Sequence, residues 1–292
     1  PLSQLDLDDI KKVMPYQGNA HTFKPSVHIG QRKLFLNEMQ FFADHLKATD
    51  TCVCVYAGAA PSNHTGLLAD LFPNVTFVLV DPNPFDVHNA SPKFLQKKGE
   101  VGDADTMLAE VAAGGHNIYI INDLMTREIA HAARKHIPHD QLFFISDIRT
   151  GITGRREPDT TDIIWNTAQM YIWIKDMEPA WSMLKFRHPF YASPPEVFAK
   201  HSVEEPLLSD FAVAKDYGID FIDNYSRREL VFFDGTVKLQ AFAGVSSAET
   251  RLVTDGKTIR NWGTQYEYED KLFSWNNTTR CYGHHVNPNA NP

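Results

Sequence analysis

Short apolar runs alternate with longer amphipathic segments through the first two thirds of the chain. The apolar runs, which are typical of strands buried on both faces, are CVCVY (52–56), VTFVLV (75–80), IYII (118–121), LFFIS (142–146) and SMLKF (182–186). Two longer segments, 31–48 and 162–177, repeat apolar residues at helical spacing. This alternation predicts an α/β fold with a mostly parallel sheet and helices on both faces.

The pattern changes after Pro206, where strand-like runs follow one another without helices between them. These runs are LVFF (230–233), VKLQAF (237–242) and TRLVT (250–254), and the Asp-Gly pair at 234–235 separates the first two. They predict an antiparallel edge on the sheet. We expect one domain over residues 31–280, an N-terminal segment over 1–30 and a flexible, Asn- and Pro-rich tail over 281–292.

Composition and charge narrow the class of protein. With 43% hydrophobic and 22% charged residues, the 292-residue chain has the make-up of a soluble globular protein. A formal net charge of -8 argues against a broad basic surface for nucleic acid, so that any such site has to be a local cleft. The chain has no apolar run long enough to span a bilayer and no secretory signal pattern at its start, so we expect neither membrane insertion nor secretion. His284 and His285 near Cys281 lack a second ligand pair, and no metal site is expected.

The segment CVCVYAGAAPSNHTG predicts a strand, followed by a turn of small residues and the start of a helix. Asp81 ends the next apolar run, where an acidic residue commonly binds a ribose. A dinucleotide fingerprint starting at Gly58 would need glycines where Ala60 and Asn63 stand, which disfavours a cofactor with a pyrophosphate. S-adenosylmethionine, which has a ribose and no phosphate, fits better. A turn that uses small residues only for packing is the open alternative.

Beyond these patterns the chain resembles a known family, the poxvirus cap-specific mRNA 2'-O-methyltransferases, whose members also serve as regulatory subunits of the viral poly(A) polymerase. The resemblance runs from about residue 30 to about residue 276 through blocks in the same order. They are GQRKLFLNEMQFF, VYAGAAPSNH, VLVD, FFISDIRT with GRREPDTTD, MLKFRHPF, KLQAF, SSAETRLVT and YEDKLFSWN. The resemblance implies a Rossmann-like fold that uses S-adenosyl-L-methionine.

The resemblance also implies roles for individual residues. The catalytic Lys-Asp-Lys-Glu set of the family matches Lys33, Asp147, Lys185 and Glu249. Its cofactor contacts fall on Gln31, Leu34, Tyr56, Gly58, Ala60, Ser62, His64, Asp81, Asp103, Asp147 and Arg149. Its contacts to the cap fall on Phe190 and Glu269. For the RNA phosphates, the concentrated basic residues nearest to the catalytic ones in sequence are Arg149, Arg155, Arg156 and Arg187. Methyl transfer to a ribose hydroxyl needs a base, and we assign Lys185 as that base with Lys33 as its electrostatic partner.

Three positions depart from the family pattern. Ser62 replaces a glycine of the cofactor loop, and Ala192 stands where the family has an acidic cap contact. The second aromatic residue that stacks on the cap has no clear counterpart, and Tyr16 is one candidate. From the residues alone, Lys185 could instead lie on a solvated strand face, and the carboxylates could cap helices or pair with surface arginines.

The expected function is therefore transfer of a methyl group from S-adenosylmethionine to the first transcribed nucleotide of capped mRNA. Two alternatives stay open: a regulatory subunit that stimulates a viral poly(A) polymerase, and a 2'-O-methyltransferase of uncapped RNA. The expected partners are the capped mRNA 5' end and a polymerase catalytic subunit. The expected location is the host cytoplasm, in the virus factory, and the virion.

Overall fold

The computed structural model describes residues 10, 13–16, 30–87, 96–99, 104–149, 160–189, 205–240 and 246–277. Its helices are α1 (Gly30–His45), α2 (Thr65–Leu71), α3 (Ala104–Ala113), α4 (Arg127–His136), α5 (Thr160–Met177), α6 (Glu205–Asp216), α7 (Phe221–Ser226) and α8 (Gln265–Ser274). Its strands are β1 (Cys52–Ala57), β2 (Val75–Val80), β3 (Gln96–Gly99), β4 (Ile118–Ile121), β5 (Leu142–Ser146), β6 (Trp181–Phe186), β7 (Val231–Phe233), β8 (Thr236–Lys238), β9 (Thr250–Thr254) and β10 (Ile259–Asn261). Among these helices none is long and apolar enough to cross a bilayer.

The main sheet has the strand order β3-β4-β2-β1-β5-β6-β9-β8. The pairs from β3 to β6 are parallel, whereas β9 is antiparallel to both β6 and β8. This confirms the predicted mostly parallel sheet with an antiparallel edge. The chain leaves β1 toward β2 on one side and later returns to β5 on the other, so the crevice for a ligand is expected beyond the carboxyl ends of β1 and β5.

Alternate residues of β1 pack into two hydrophobic clusters on opposite faces of the sheet. Val53 and Val55 belong to one cluster, and Cys52 and Cys54 belong to the other. All six residues of β1 are buried, because helices cover both faces of a parallel sheet. The strand can therefore be apolar along its whole length and still alternate its contacts.

The predicted elements are present in the structure, but the bounds of several differ. β8, predicted to extend to residue 242, ends at Lys238, and α5 begins at Thr160 rather than at residue 162. β2, β4, β5 and β9 have the predicted bounds, while α1 ends at His45 rather than at residue 48. The Asp-Gly pair at 234–235 does not join two paired strands. Instead β7 pairs with β10 in a separate two-stranded sheet, and β8 pairs with β9.

Candidate active site

The four residues of the predicted Lys-Asp-Lys-Glu set lie together. Lys185 Nζ donates to Asp147 Oδ1 at 2.9 Å and lies 3.6 Å from Glu249 Oε2. Lys33 Nζ donates to Glu249 Oε1 at 3.1 Å. Each side chain thus contacts at least one other member, and we call the group the Lys-Asp-Lys-Glu cluster.

Four separate elements bring the Lys-Asp-Lys-Glu cluster together. Lys33 lies in the first turns of α1, and Asp147 directly follows β5, where its backbone N–H donates to the Ala57 carbonyl at 2.9 Å. Lys185 is the fifth residue of β6, and Glu249 directly precedes β9, the neighbouring strand. The cluster therefore lies beyond the carboxyl end of β5, beside the crevice that the strand order predicts.

Arg251 is a further member of the cluster that the sequence analysis missed. It lies directly opposite Lys185 in the antiparallel pair of β6 and β9. Its guanidinium donates to Asp147 Oδ1 at 2.8 Å and to Glu249 Oε1 at 3.2 Å, and only 1% of the residue is exposed. Two like charges across a strand pair normally repel, and here the two carboxylates compensate both. The signal was its position two residues after Glu249, which sets both side chains on one face of an extended chain.

The surrounding charges shift the ionisation of the cluster. Burial lowers the pKa of Lys185, and the nearby arginines Arg251 and Arg149 lower it further, against the opposing effect of Asp147 and Glu249. Burial would raise the pKa of Glu249, but Arg251, Lys185, Lys33 and Arg149 hold it well below its usual range. The two arginines are the strongest cationic influences on Lys185, and Lys33 pairs with Glu249. The assignment of Lys33 as the electrostatic partner of Lys185 stays a prediction.

The predicted cofactor loop follows β1 and packs closely on the segment after β5. Gly58 has a φ of +74°, and a Cβ there would lie 2.8 Å from the carbonyl carbon of Asp147. The backbone N–H of Ala60 donates to Asp81 Oδ2 at 3.2 Å. Ser62, which departs from the family pattern, is buried and donates its hydroxyl to the Ala59 carbonyl at 2.7 Å. Its side chain is thus satisfied within the loop.

Tyr56 and His64 share a buried carboxylate, which is another feature that the sequence analysis missed. Glu38 on α1 is fully buried, accepts a hydrogen bond from the Tyr56 hydroxyl at 2.8 Å and lies 2.6 Å from His64 Nε2. Burial alone would lower the pKa of His64, but Glu38 outweighs that effect and raises it. Leu34, on the same helix, is buried. The helix therefore braces two of the predicted cofactor residues.

Glu269 and Arg187, two of the predicted substrate residues, lie near each other beyond β6. Glu269 on α8 is 4% exposed, and burial raises the pKa of its carboxyl group. Its Oε2 accepts from Gln265 at 2.9 Å, whereas Oε1 has no partner among the described residues. The Arg187 charge acts on Glu269 and lowers that pKa. Tyr16 contacts the same helix, with its backbone N–H donating to Asp270 Oδ1 at 2.7 Å.

Comparisons with known proteins show what the chain as a whole resembles. The sequence model of a family described as "Poly A polymerase regulatory subunit" matches residues 100–204. Over 284 residues the chain is 27% identical to the "Cap-specific mRNA (nucleoside-2'-O-)-methyltransferase" of Myxoma virus, strains Lausanne and Uriarra, covering 94% of this chain and 68% of each relative. The resemblance to the poxvirus family is confirmed. These matches support the prediction that the chain is a methyltransferase enzyme.

Among the solved structures that match is one described as "Structure of an Antibiotic Related Methyltransferase". It is 10% identical to this chain, with a TM-score of 0.25, and the match covers 79% of this chain and 96% of that one. So low a likeness carries no argument. The fold class therefore rests on the strand order of the sheet itself.

Several residues predicted from the poxvirus family lie outside the part that the structure describes. They are Asp103, Phe190, Ala192 and the side chain of Gln31. Arg155 and Arg156, predicted for the RNA phosphates, also lie outside it. Arg149, predicted as a cofactor contact, is half-exposed and pairs with Glu249. The roles of these residues stay predictions. In the described ranges, no group of three or more His, Cys, Asp or Glu side chains is arranged to hold a metal ion.

Proposed function

We propose that this protein is an S-adenosylmethionine-dependent mRNA methyltransferase that methylates the ribose 2'-hydroxyl of the first transcribed nucleotide, converting cap0 to cap1. The observation that carries the proposal is the convergence of Lys33, Asp147, Lys185 and Glu249 beside the loop that follows β1. Burying two lysines and two carboxylates costs desolvation free energy, and such clusters of buried charges are typical of functional sites.

The residues around the loop suit a nucleoside methyl donor. Gly58 lets the loop pack directly on the segment that carries Asp147, since any side chain there would collide with that backbone. Asp81 at the end of β2 offers a carboxylate to a ribose, while Tyr56 and His64 are held in place by Glu38. When bound, S-adenosylmethionine supplies an electrophilic methyl group on a sulfonium.

Lys185 is the residue that we assign to remove the proton of the 2'-hydroxyl. A neutral hydroxyl is a poor nucleophile, and a lysine at its ordinary pKa is almost fully protonated at neutral pH. Burial, Arg251 and Arg149 lower the pKa of Lys185. Asp147 Oδ1, at 2.9 Å, orients the amine. The neighbouring arginines thus favour the neutral amine of Lys185, and Asp147 fixes the direction in which it points.

Recognition of the cap is the second part of the proposal. The methylated guanine is positively charged, and it suits an aromatic stack with an acid at its edge. Phe190 and Glu269 are assigned these contacts, with Tyr16 as candidate for the second ring. The unpartnered Oε1 of Glu269 supports an acceptor role, because a buried carboxylate oxygen is costly to leave unpaired. Arg187 and Arg149 are assigned to RNA phosphates.

The test is methyl transfer to matched short RNAs that are capped, uncapped, or capped and already 2'-O-methylated. We expect incorporation of labelled methyl only into the first. Lys185→Ala should abolish it, whereas Lys238→Ala should not, because Lys238 is a buried lysine that pairs with Asp44 outside the cluster. Equal labelling of uncapped RNA would reject cap specificity, and activity in Lys185→Ala would reject the assigned base.

A second role is favoured by the description of the matching family. We propose that the chain also stimulates a viral poly(A) polymerase catalytic subunit, as the family description "Poly A polymerase regulatory subunit" suggests. Stimulation of tail elongation should survive Lys185→Ala if the two roles are separate. Loss of both activities in that variant would argue for one shared surface. Both roles would be exercised in the host cytoplasm, within the virus factory.

A further inference from the structure

The carboxylate of Asp81 is already occupied by donors of the protein itself. Its Oδ1 accepts from the backbone N–H of Asn83 and from the Asn83 side chain Nδ2, both at 2.8 Å. Its Oδ2 accepts from the backbone N–H of Ala60 at 3.2 Å. Asp81 is only 7% exposed, so these donors cover most of it.

A count of acceptor sites shows what a ribose would meet there. An ionised carboxylate offers about four lone-pair positions, two on each oxygen. Within the described part of the chain, three of them hold donors, including both on Oδ1. The two hydroxyls of a ribose need two positions. They cannot both bind Asp81 while the Asn83 carboxamide stays on Oδ1.

Of the three donors, only the Asn83 carboxamide is able to leave. The backbone of Asn83 is held by Asn122, whose Nδ2 donates to the Asp81 carbonyl at 2.9 Å and to the Asn83 carbonyl at 3.1 Å. The backbone of Ala60 belongs to the loop that packs on the segment after β5. The Asn83 side chain is exposed and can rotate into solvent, where water replaces its hydrogen bond.

We propose that the Asn83 carboxamide competes with the ribose hydroxyls of the methyl donor for Asp81 Oδ1, and so weakens the binding of both donor and product. The inference rests on the proposed function, since it takes Asp81 as the ribose ligand. Asn83 thus reduces the part of the binding affinity that comes from the ribose hydroxyls, and with it the preference for a ligand that has them. The same competition favours release of the product after transfer.

The test is equilibrium binding of S-adenosylhomocysteine, the unreactive product, to the full chain and to Asn83→Ala. Because the Asn83 carboxamide is exposed and water can replace its hydrogen bond, loss of this competitor should tighten binding about twofold to tenfold. Asn117→Ala is the matched control, because Asn117 also donates its Nδ2, to the Pro73 carbonyl at 3.0 Å, but touches neither Asp81 nor its neighbours. Its binding should equal that of the wild type.

A second ligand distinguishes competition for Asp81 from a steric effect of the smaller alanine side chain. The 2',3'-dideoxy analogue of S-adenosylhomocysteine should bind the wild type and Asn83→Ala equally, because it has no hydroxyl to place on Asp81. Equal tightening of both ligands, or no tightening of either, would overturn the inference while leaving the proposed function intact. Failure of the folded wild type to bind S-adenosylhomocysteine at all would overturn the proposed function and the inference with it.

Discussion

Replacement of Arg251 by methionine tests whether the Lys-Asp-Lys-Glu cluster is held together by its buried charges. The variant keeps an unbranched apolar stem and removes donors that lie 2.8 Å from Asp147 Oδ1 and 3.2 Å from Glu249 Oε1. Removing one partner of a buried ion pair costs about 3–5 kcal/mol of unfolding free energy. Each carboxylate keeps a lysine, at 2.9 Å for Asp147 and 3.1 Å for Glu249. We therefore expect the lower limit, about 3 kcal/mol.

The measurement is urea denaturation followed by tryptophan fluorescence, with the dependence of the free energy on urea checked to be the same in both proteins. Arg227→Met is the matched control, since Arg227 pairs with Asp223 one turn away and both side chains are more than half exposed. An exposed pair of this kind contributes about 0.3–0.5 kcal/mol. If the two variants lost the same stability, the view of Arg251 as the central buried cation would be refuted.

Two further variants probe the electrostatics and the loop. The Glu249 carboxylate lies 3.6 Å from Lys185 Nζ and raises the pKa of that lysine. Glu249→Gln removes this effect, so if Lys185 is the base, the rise of kcat/KM with pH should move to lower pH. A move to higher pH would contradict the assigned role of Lys185. Gly58→Ala should lose more than about 1 kcal/mol of stability and bind S-adenosylhomocysteine more weakly. Gly114→Ala is the control for backbone strain alone, because Gly114 has a φ of +77° and nothing lies within 4 Å of its Cβ position. If both variants lost the same stability, collision of the methyl group introduced by Gly58→Ala with the segment after β5 would be rejected as a cause.

The strands of the parallel region could be predicted because burial on both faces leaves an uninterrupted apolar run. β2, β4 and β5 were each predicted to the residue. The Asp-Gly pair at 234–235 is a turn signal, but a turn does not determine which strands pair with each other. β7 pairs with β10 and β8 with β9, through contacts with residues later in the chain.

Membership of the candidate site was only partly predictable. The Lys-Asp-Lys-Glu set came from a resemblance to a family, not from spacing, since its members are scattered over the chain. Arg251 was overlooked because an arginine inside a strand usually reaches solvent, and here it is almost completely buried. Asn83 gave no sequence signal at all, since asparagine after a strand is ordinary turn chemistry.

The order of apolar and polar residues was sufficient to predict the central strands β1, β2, β4, β5 and β6 and the helices α1 and α5, because that order reflects burial over a few neighbouring residues. Tertiary structure alone decided which charges meet. Lys33 and Glu249 are 216 residues apart in the chain and 3.1 Å apart in the structure. Whether a buried charge is stable, and at what pH it ionises, depends on partners brought from distant strands, and no local pattern contains that information.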